Sequence, residues 1–299
     1  MDSEEGKDYR YEYTTTPLNG LASKHISIPA SIITDADLDV KRVGIFSYLR
    51  IRCGFDDMIH FTIPDMIEWC GNKPAKGADG INSKFLSIVD AYSGRGYLTY
   101  KTKQSRNSYM KCEFNTDYFR QECTSNGFAL VYLDEIEKIM NYKKANTKDS
   151  LLTNTAILLV FAYLRYKINR RPNELRPEDR GDEGVANRKA VFPDAYADSI
   201  MNIADILGMS SKTLSRIIDI LECQLGLIIT DRAYRTKNKN DEYRTPYTIF
   251  TNAYKREGRY LLNTEKDYSR IEAENKSVQL NKIYGDYKIN KDKRKDALA

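Results

Sequence analysis

A heptapeptide that occurs twice is the feature of this chain that most limits its fold. Residues 46–52 read Phe-Ser-Tyr-Leu-Arg-Ile-Arg, and residues 161–167 read Phe-Ala-Tyr-Leu-Arg-Tyr-Lys. Each copy is followed by the same series of patterns: a short apolar helix, a tight turn, a second helix, a glycine, and two strands around a polar, basic segment. The sequence therefore predicts one module built twice, and this order of elements describes a winged helix.

The second copy shows the pattern most clearly. One apolar run ends just before Gly208 and another spans residues 214–225, and both have the spacing of a single buried helical face. Gly208 can take a positive φ and end the first helix, and either Ser210 or Ser211 can cap the next. This segment predicts the short turn of a helix-turn-helix.

The outward face of this second helix carries small hydrogen-bonding and cationic side chains, which suit contacts with base edges and phosphates. We expect DNA contacts from Ser211, Lys212, Ser215 and Arg216. After Gly226, two β-rich runs at residues 227–230 and 247–250 flank a polar loop and predict a hairpin, the wing. The basic side chains of this loop that we expect to contact phosphates are Arg235, Lys237 and Lys239.

The first copy matches in kind. Residues 61–63 predict a short strand, and Pro64 suits the first turn of the short helix, which Gly71 ends. The apolar spacing over residues 85–92 then repeats that of residues 214–221 and predicts the second helix. The residues expected to read DNA from its outward face are Asn82, Ser83, Lys84 and Ser87.

The hairpin of the first copy is predicted to begin at Gly96. No Asp or Glu occurs from Arg95 to Lys111, so the sequence predicts a basic wing without acidic compensation. The residues expected to supply phosphate contacts are Lys101, Lys103 and Arg106.

These patterns predict an α+β fold, mainly helical, with two tandem winged-helix domains. The predicted organisation is a flexible N-terminal segment (1–26), a first domain (27–120), a linker with a helix (121–148), a second domain (149–262) and a charged tail (263–299). The tail is too poor in apolar residues to fold compactly, and is expected to be disordered or helical. Residues 169–192, which lack periodicity, are predicted to be a loop inserted in the second domain.

Composition narrows the functional class only in part. The net charge is +5, a mild excess, so any argument for a polyanionic partner depends on where the charges lie. The five cysteines show neither a Cys-x-x-Cys pair nor the spacing of zinc ligands, which predicts reduced thiols. The acidic, polar N-terminus and the short apolar run at residues 155–162 predict a cytoplasmic protein without a membrane partner.

Catalytic motifs are not apparent in the sequence. There is no Walker A pattern, and the only histidines, His25 and His60, are far apart. Acidic residues cluster between Glu174 and Glu183, but they alternate with arginines, which favours salt bridges on a solvated loop. We therefore expect no enzymatic activity, no cofactor and no metal site.

The paired Phe-x-Tyr-Leu-Arg segments and the closing stretch Tyr247-Thr-Ile-Phe-Thr-Asn-Ala-Tyr-Lys-Arg-Glu-Gly258 carry a family resemblance. Together they resemble the replication-initiator-like winged-helix proteins of plasmids and integrative elements of Gram-positive bacteria. More distantly, the architecture is similar to plasmid replication initiators with two winged helices. The resemblance implies binding at an origin or operator, with recruitment of host replication proteins such as a helicase or primase loader, and it implies no catalytic residue.

Three functions remain open at this stage. The favoured one is sequence-specific binding of double-stranded DNA in the initiation of replication of a plasmid or mobile element. The second is transcriptional regulation of such an element. The third is a replisome adaptor that holds other proteins without reading DNA. RNA is less favoured because no aromatic stacking motif is visible, and the sequence does not determine the oligomeric state.

Overall fold

The structure, a computed structural model, describes residues 25–75, 80–102, 109–143, 152–168, 195–234 and 247–252. These residues form an α+β fold with small antiparallel sheets. The elements are β1 (His25–Pro29), α1 (Ala30–Ile33), α2 (Arg42–Arg52), β2 (Met58–Phe61), α3 (Ile63–Trp69), α4 (Ile81–Gly94), β3 (Leu98–Thr102), β4 (Met110–Phe114), α5 (Thr116–Asn126), β5 (Phe128–Tyr132), α6 (Leu133–Met140) and α7 (Asn154–Ile168). They continue with β6 (Ala195–Ser199), α8 (Ile200–Leu207), α9 (Ser211–Asp219), a π-helix (Ile220–Gln224), β7 (Ile228–Tyr234) and β8 (Tyr247–Asn252).

The described chain divides into two compact units. One contains residues 25–166 together with 206–217, and the other contains residues 167–205 and 218–252, each within the described ranges. The first unit holds the two-stranded sheet β1–β5 and the three-stranded sheet β2–β4–β3. The second unit holds the sheet β6–β8–β7. The segment expected as a linker thus contributes β5, which pairs with β1, and His25 and Ile26 are the first residues of that sheet rather than part of a flexible segment.

The core of the first copy is built around the repeated heptapeptide. Phe46 is 1% exposed and its ring meets Tyr92 and Tyr97 edge-on, at centroid distances of 5.7 and 5.8 Å. The rings of Phe114 and Phe119 also lie next to the Phe46 ring, each at a centroid distance of 6.3 Å. Aromatic pairs at such distances add to the free energy gained from burial. The first residue of the repeat therefore lies at the centre of the contacts between α2, α4, the hairpin and α5.

Helix α7, which carries the second heptapeptide, is apolar on every side. Residues 156–164 are all buried, as expected for a helix enclosed by protein. A Cβ atom at Gly44 of α2 would lie 2.6 Å from Thr155 Cγ2, so α2 and α7 approach each other closely at this glycine. Within the described part of the chain, no helix combines the length and the apolar character needed to cross a bilayer.

The strand before the short helix of the first copy lies earlier in the chain than predicted. The predicted strand 61–63 was wrong beyond Phe61, because β2 spans Met58–Phe61 and Ile63 is already helical. Thr62 accepts a hydrogen bond from the Asp65 N–H at 3.1 Å and so caps α3. Pro64 lies in the first turn, as predicted, and Gly71 ends the helix with a φ of 73°. Because β-branched residues are common in strands, Thr62 was predicted to belong to one. Its hydroxyl instead caps the start of a helix.

Candidate nucleic-acid interface

Short-range hydrogen bonds fix the helix pair α8 and α9. Ser199 Oγ accepts a backbone N–H at 3.1 Å and caps the start of α8. Gly208 follows α8 with a φ of 69°, which confirms the predicted left-handed turn. Ser210, rather than Ser211, caps α9, since its Oγ accepts the Thr213 N–H at 3.1 Å. The connection between the two helices is therefore short and closely defined.

Helix α9 has one buried face and one exposed face. Its inward side chains are fully buried: Leu214, Ile217 and Ile218. On the opposite face Ser211, Lys212 and Arg216 are exposed and Ser215 is half-buried. Residues one helical turn apart share a face, so the four residues expected to read DNA in the second copy lie on one accessible surface. We refer to Ser211, Lys212, Ser215 and Arg216 as the α9 surface.

Helix α4 differs from the expectation at one position. Lys84 and Ser87 are exposed and Ser83 is half-buried. The prediction that Asn82 lies on the outward face of α4 was wrong, because its side chain is only 3% exposed. Asn82 Oδ1 accepts a hydrogen bond from the Ala75 N–H at 2.9 Å, so the amide closes the longer connection between α3 and α4. Its partner is a backbone group of an irregular loop, which residue spacing could not identify.

The positive charge of the first hairpin is partly neutralised by an acidic residue that lies just beyond the segment from Arg95 to Lys111. Lys101 on β3 is exposed and forms an ion pair of 2.5 Å with Glu113 on β4. Arg95, at the end of α4, pairs with Asp35. The prediction of a wing without acidic compensation was therefore wrong for these two residues. Cross-strand pairing brings together charges that the linear count keeps apart.

The remaining predicted phosphate contacts fall between the strands of the two hairpins. Lys103 and Arg106 lie between β3 and β4 in the sequence, and Arg235, Lys237 and Lys239 lie between β7 and β8. All five positions are outside the described residues. Their roles stay predictions from the sequence.

In both copies a carboxylate bonds to a hairpin strand, from α4 in the first copy and from the π-helix after α9 in the second. The Tyr100 hydroxyl on β3 donates to Asp90 Oδ1 on α4 at 2.8 Å. In the second copy the N–H and the hydroxyl of Thr230 on β7 donate to the two oxygens of Glu222, at 2.7 and 2.6 Å. Burial, together with the adjacent Asp90, raises the pKa of Tyr100 well above its usual range, so the phenol keeps its proton as a donor. These bonds set the position of each hairpin strand against its helix.

The structure also places together three residues that sequence reasoning did not group. His60 on β2 and Tyr109, next to β4, are hydrogen bonded, and their ring centroids are 5.5 Å apart. Lys111 lies directly opposite His60 in the strand register. The outward side of this sheet therefore carries exposed aromatic rings beside a cation. Alternation along β2 and β4 could have indicated it, had the strand pairing been known.

The acidic side chains and thiols of the described residues do not cluster as metal ligands do. No group of three or more His, Cys, Asp or Glu side chains among them is placed to hold a metal ion. None of the five cysteines forms a disulfide. The buried carboxylate Glu135 is held by Arg165 and by the Tyr132 N–H, which is a structural arrangement within α6 and α7.

Comparison with known proteins adds no family assignment. No protein-family model matches this chain, and no curated protein sequence is significantly similar to it. The functional interpretation therefore depends on the fold, the α9 surface and the resemblance carried by the repeated motif.

Proposed function

We propose that the protein binds double-stranded DNA in a sequence-specific manner through two tandem winged-helix modules. One observation carries this proposal: both copies have the same succession of elements and the same strand order. Each runs helix, strand, helix, helix, strand, strand, and the sheets are ordered β2–β4–β3 and β6–β8–β7. In each copy the strand after the first helix pairs with the last strand, and the middle strand of the sequence lies at the edge.

Details of the two copies support their common origin as one kind of module. Hydroxyl side chains, Thr62 and Ser199, cap the first helix of each helix pair. A glycine of positive φ ends each of these helices, at Gly71 and Gly208. Such agreement in caps, turns and sheet order is expected when one fold has been used twice.

The surface chemistry supports DNA as the ligand of this fold. In helix-turn-helix proteins the second helix lies in the major groove, where its N-terminal residues contact base edges. The first two turns of α9 expose Lys212 and Arg216 together with hydroxyl groups. Arginine and lysine are the usual partners of guanine, and serine can contact any base or a phosphate. The hairpin that follows α9 then contacts the adjacent backbone.

Measurement of DNA affinity with single variants tests the proposal. A duplex selected from random sequences is titrated with the full chain over a salt series. We expect affinity to fall steeply with salt, and Arg216→Ala to cost about 1–3 kcal/mol on the selected site. Arg120→Ala is the matched control, since Arg120 on α5 is an exposed helical arginine outside both helix pairs and is expected to change affinity by less than about twofold.

The contradicting results are clear in this design. An affinity without salt dependence, or equal losses for Arg216→Ala and Arg120→Ala, would show that the α9 surface does not bind DNA.

We further infer a role in the initiation of replication of a plasmid or mobile element, supported by the resemblance to replication-initiator-like proteins described above. The selected site is placed on a plasmid that lacks its own initiator, and the chain is supplied from a second plasmid. Maintenance of the first plasmid is the expected result. Repression of a reporter without plasmid maintenance would indicate a transcriptional regulator instead.

A further inference from the structure

We propose that the two modules have different roles in DNA binding: the α9 surface supplies the base-specific contacts, and α4 supplies none. This inference rests on the proposed DNA binding and deepens it. It concerns which of two similar helices determines the sequence preference, a point that the repeated motif leaves open.

The two helices align by their buried positions. Phe85, Ile88, Val89 and Tyr92 of α4 and Leu214, Ile217, Ile218 and Leu221 of the second copy are all at most 3% exposed. Because these residues have the same spacing, each outward position of α4 has one counterpart in α9. Ser83 corresponds to Lys212, and Ser87 corresponds to Arg216.

The corresponding residues of the two helices offer different chemical groups to a nucleic acid. Lys212 and Arg216 are exposed cations with long side chains, one helical turn apart on the same face. At the same places α4 has two serines, and the Ser87 hydroxyl donates its proton to the Lys84 carbonyl at 2.8 Å. A serine hydroxyl reaches less far than an arginine guanidinium, and the Ser87 hydroxyl already bonds to its own helix. Asp90 of α4 and Asp219 of α9 also occupy corresponding positions. The two helices therefore differ in their cationic residues and not in this acidic one.

The two helices also differ at their first turns, where base contacts are made in this fold. The counterpart of the exposed Ser211 is Asn82, which is buried and bonded to the Ala75 N–H. The first turn of α4 therefore directs its amide into the connection between helices. Lys84, its remaining exposed cation, corresponds to Thr213, which is 4% exposed in α9, so Lys84 does not occupy a position of the α9 surface.

Like charges one helical turn apart repel each other within a helix. A polyanionic ligand that binds both Lys212 and Arg216 relieves this repulsion. The cationic pair in α9 and the serine pair in α4 are therefore expected to have different functions, with α4 contributing at most backbone contacts that carry no sequence information.

Two double variants of the full chain test the inference. The first is Lys212→Ala/Arg216→Ala in α9, and the second is Lys84→Ala/Ser87→Ala in α4. Each is measured against the duplex selected by the wild-type protein and against a scrambled duplex of the same composition. All four positions are exposed, and circular dichroism verifies that each variant is folded.

The α9 variant is expected to lose sequence preference, with the affinity ratio of selected to scrambled duplex falling by roughly 10- to 100-fold. The α4 variant is expected to keep this ratio within about twofold and to weaken binding to both duplexes equally. In a repeated selection from random DNA, the α4 variant returns the wild-type consensus.

A tenfold loss of preference in the α4 variant, or a changed consensus, would overturn the inference while leaving DNA binding itself intact. A wild-type chain without salt-dependent affinity for any duplex would overturn the proposed function, and the inference with it.

Discussion

Arg50 and Arg165 occupy the same place in the repeated heptapeptide and have different environments. Arg165 is 1% exposed and forms an ion pair of 2.5 Å with the buried Glu135. Arg50 is half-buried, and its guanidinium lies over the rings of Phe114 and Phe119, at 4.3 and 4.7 Å. The same residue therefore neutralises a buried acid in one copy and covers aromatic rings in the other.

This difference gives a prediction at the residue scale. Arg165→Met leaves the carboxylate of Glu135 buried without its cationic partner, which should cost about 3–5 kcal/mol of unfolding free energy. Arg50→Met removes a cation–π contact and should cost about 1–2 kcal/mol. Urea denaturation followed by the fluorescence of Trp69, the only tryptophan, measures both. Equal losses of unfolding free energy in the two variants would show that the buried ion pair stabilises the fold no more than the cation–π contact does.

Arg42 shows a further use of arginine that the sequence did not indicate. Its side chain is 1% exposed and donates to the carbonyls of Ile32, Ile33 and Leu38, at 2.9–3.0 Å for the shortest bond to each. Burial lowers the pKa of this guanidinium, and the nearby Tyr92 and Asp39 act in the opposite direction. Arg42 thus satisfies carbonyls at and beyond the end of α1 and joins α1 to α2.

At the scale of elements, the copies differ in how the second helix ends. In the first copy the Tyr97 N–H donates to the Tyr92 carbonyl at 3.0 Å, and in the second copy the Leu227 N–H donates to the Leu221 carbonyl at 2.8 Å. The second loop closes over one more residue, and the π-helix Ile220–Gln224 lies at this place. A π-helix accommodates an extra residue within a helix. The additional residue therefore leaves the following glycine and strand in equivalent positions.

The glycines that end the short helices allow a second prediction, with an internal control. Gly71→Ala and Gly208→Ala place a Cβ at positive φ, where no neighbour within 4 Å opposes it, so the cost is conformational and should be about 1–2 kcal/mol each. Gly94→Ala also adds a Cβ in open space, but within a helix, and should stabilise by up to about 1 kcal/mol. Thermal and urea denaturation measure the three variants. Stabilisation by Gly208→Ala would contradict the described turn.

At the scale of the whole molecule, the five cysteine thiols differ in how deeply they are buried. Cys70, Cys112 and Cys123 are buried, Cys53 is half-buried and Cys223 is exposed. Burial raises the pKa of Cys70 to about 12 and that of Cys123 to about 11. Only the thiolate reacts with disulfide reagents, so these two thiols have little reactive form near neutral pH.

Thiol labelling of the native chain at pH 8 gives the third prediction. Cys223 should react first, Cys53 more slowly because burial also raises its pKa, and the three buried thiols only after denaturant is added. Mass spectrometry of digested samples identifies the order. Early labelling of Cys70 would contradict the described core around α3.

Much of the fold could be predicted from the sequence because it depends on local patterns. Apolar spacing indicated the buried faces of α4, α8 and α9, and glycine indicated the turns after α3 and α8. β-rich runs on either side of a polar, basic segment indicated the two hairpins. Strand β6 was missed, since it follows a long segment without periodicity and is defined by its pairing with β8.

The sequence by itself determined that one series of elements occurs twice and that α9 carries its cations on the side opposite its apolar residues, because helical periodicity and turn chemistry act over a few residues. Only the tertiary structure decided that Asn82 faces inward, that Lys101 is paired with Glu113, and that two equivalent arginines have different partners. Each of these outcomes depends on a group that is distant in sequence or belongs to an irregular backbone. Spacing along the chain carries no information about such partners.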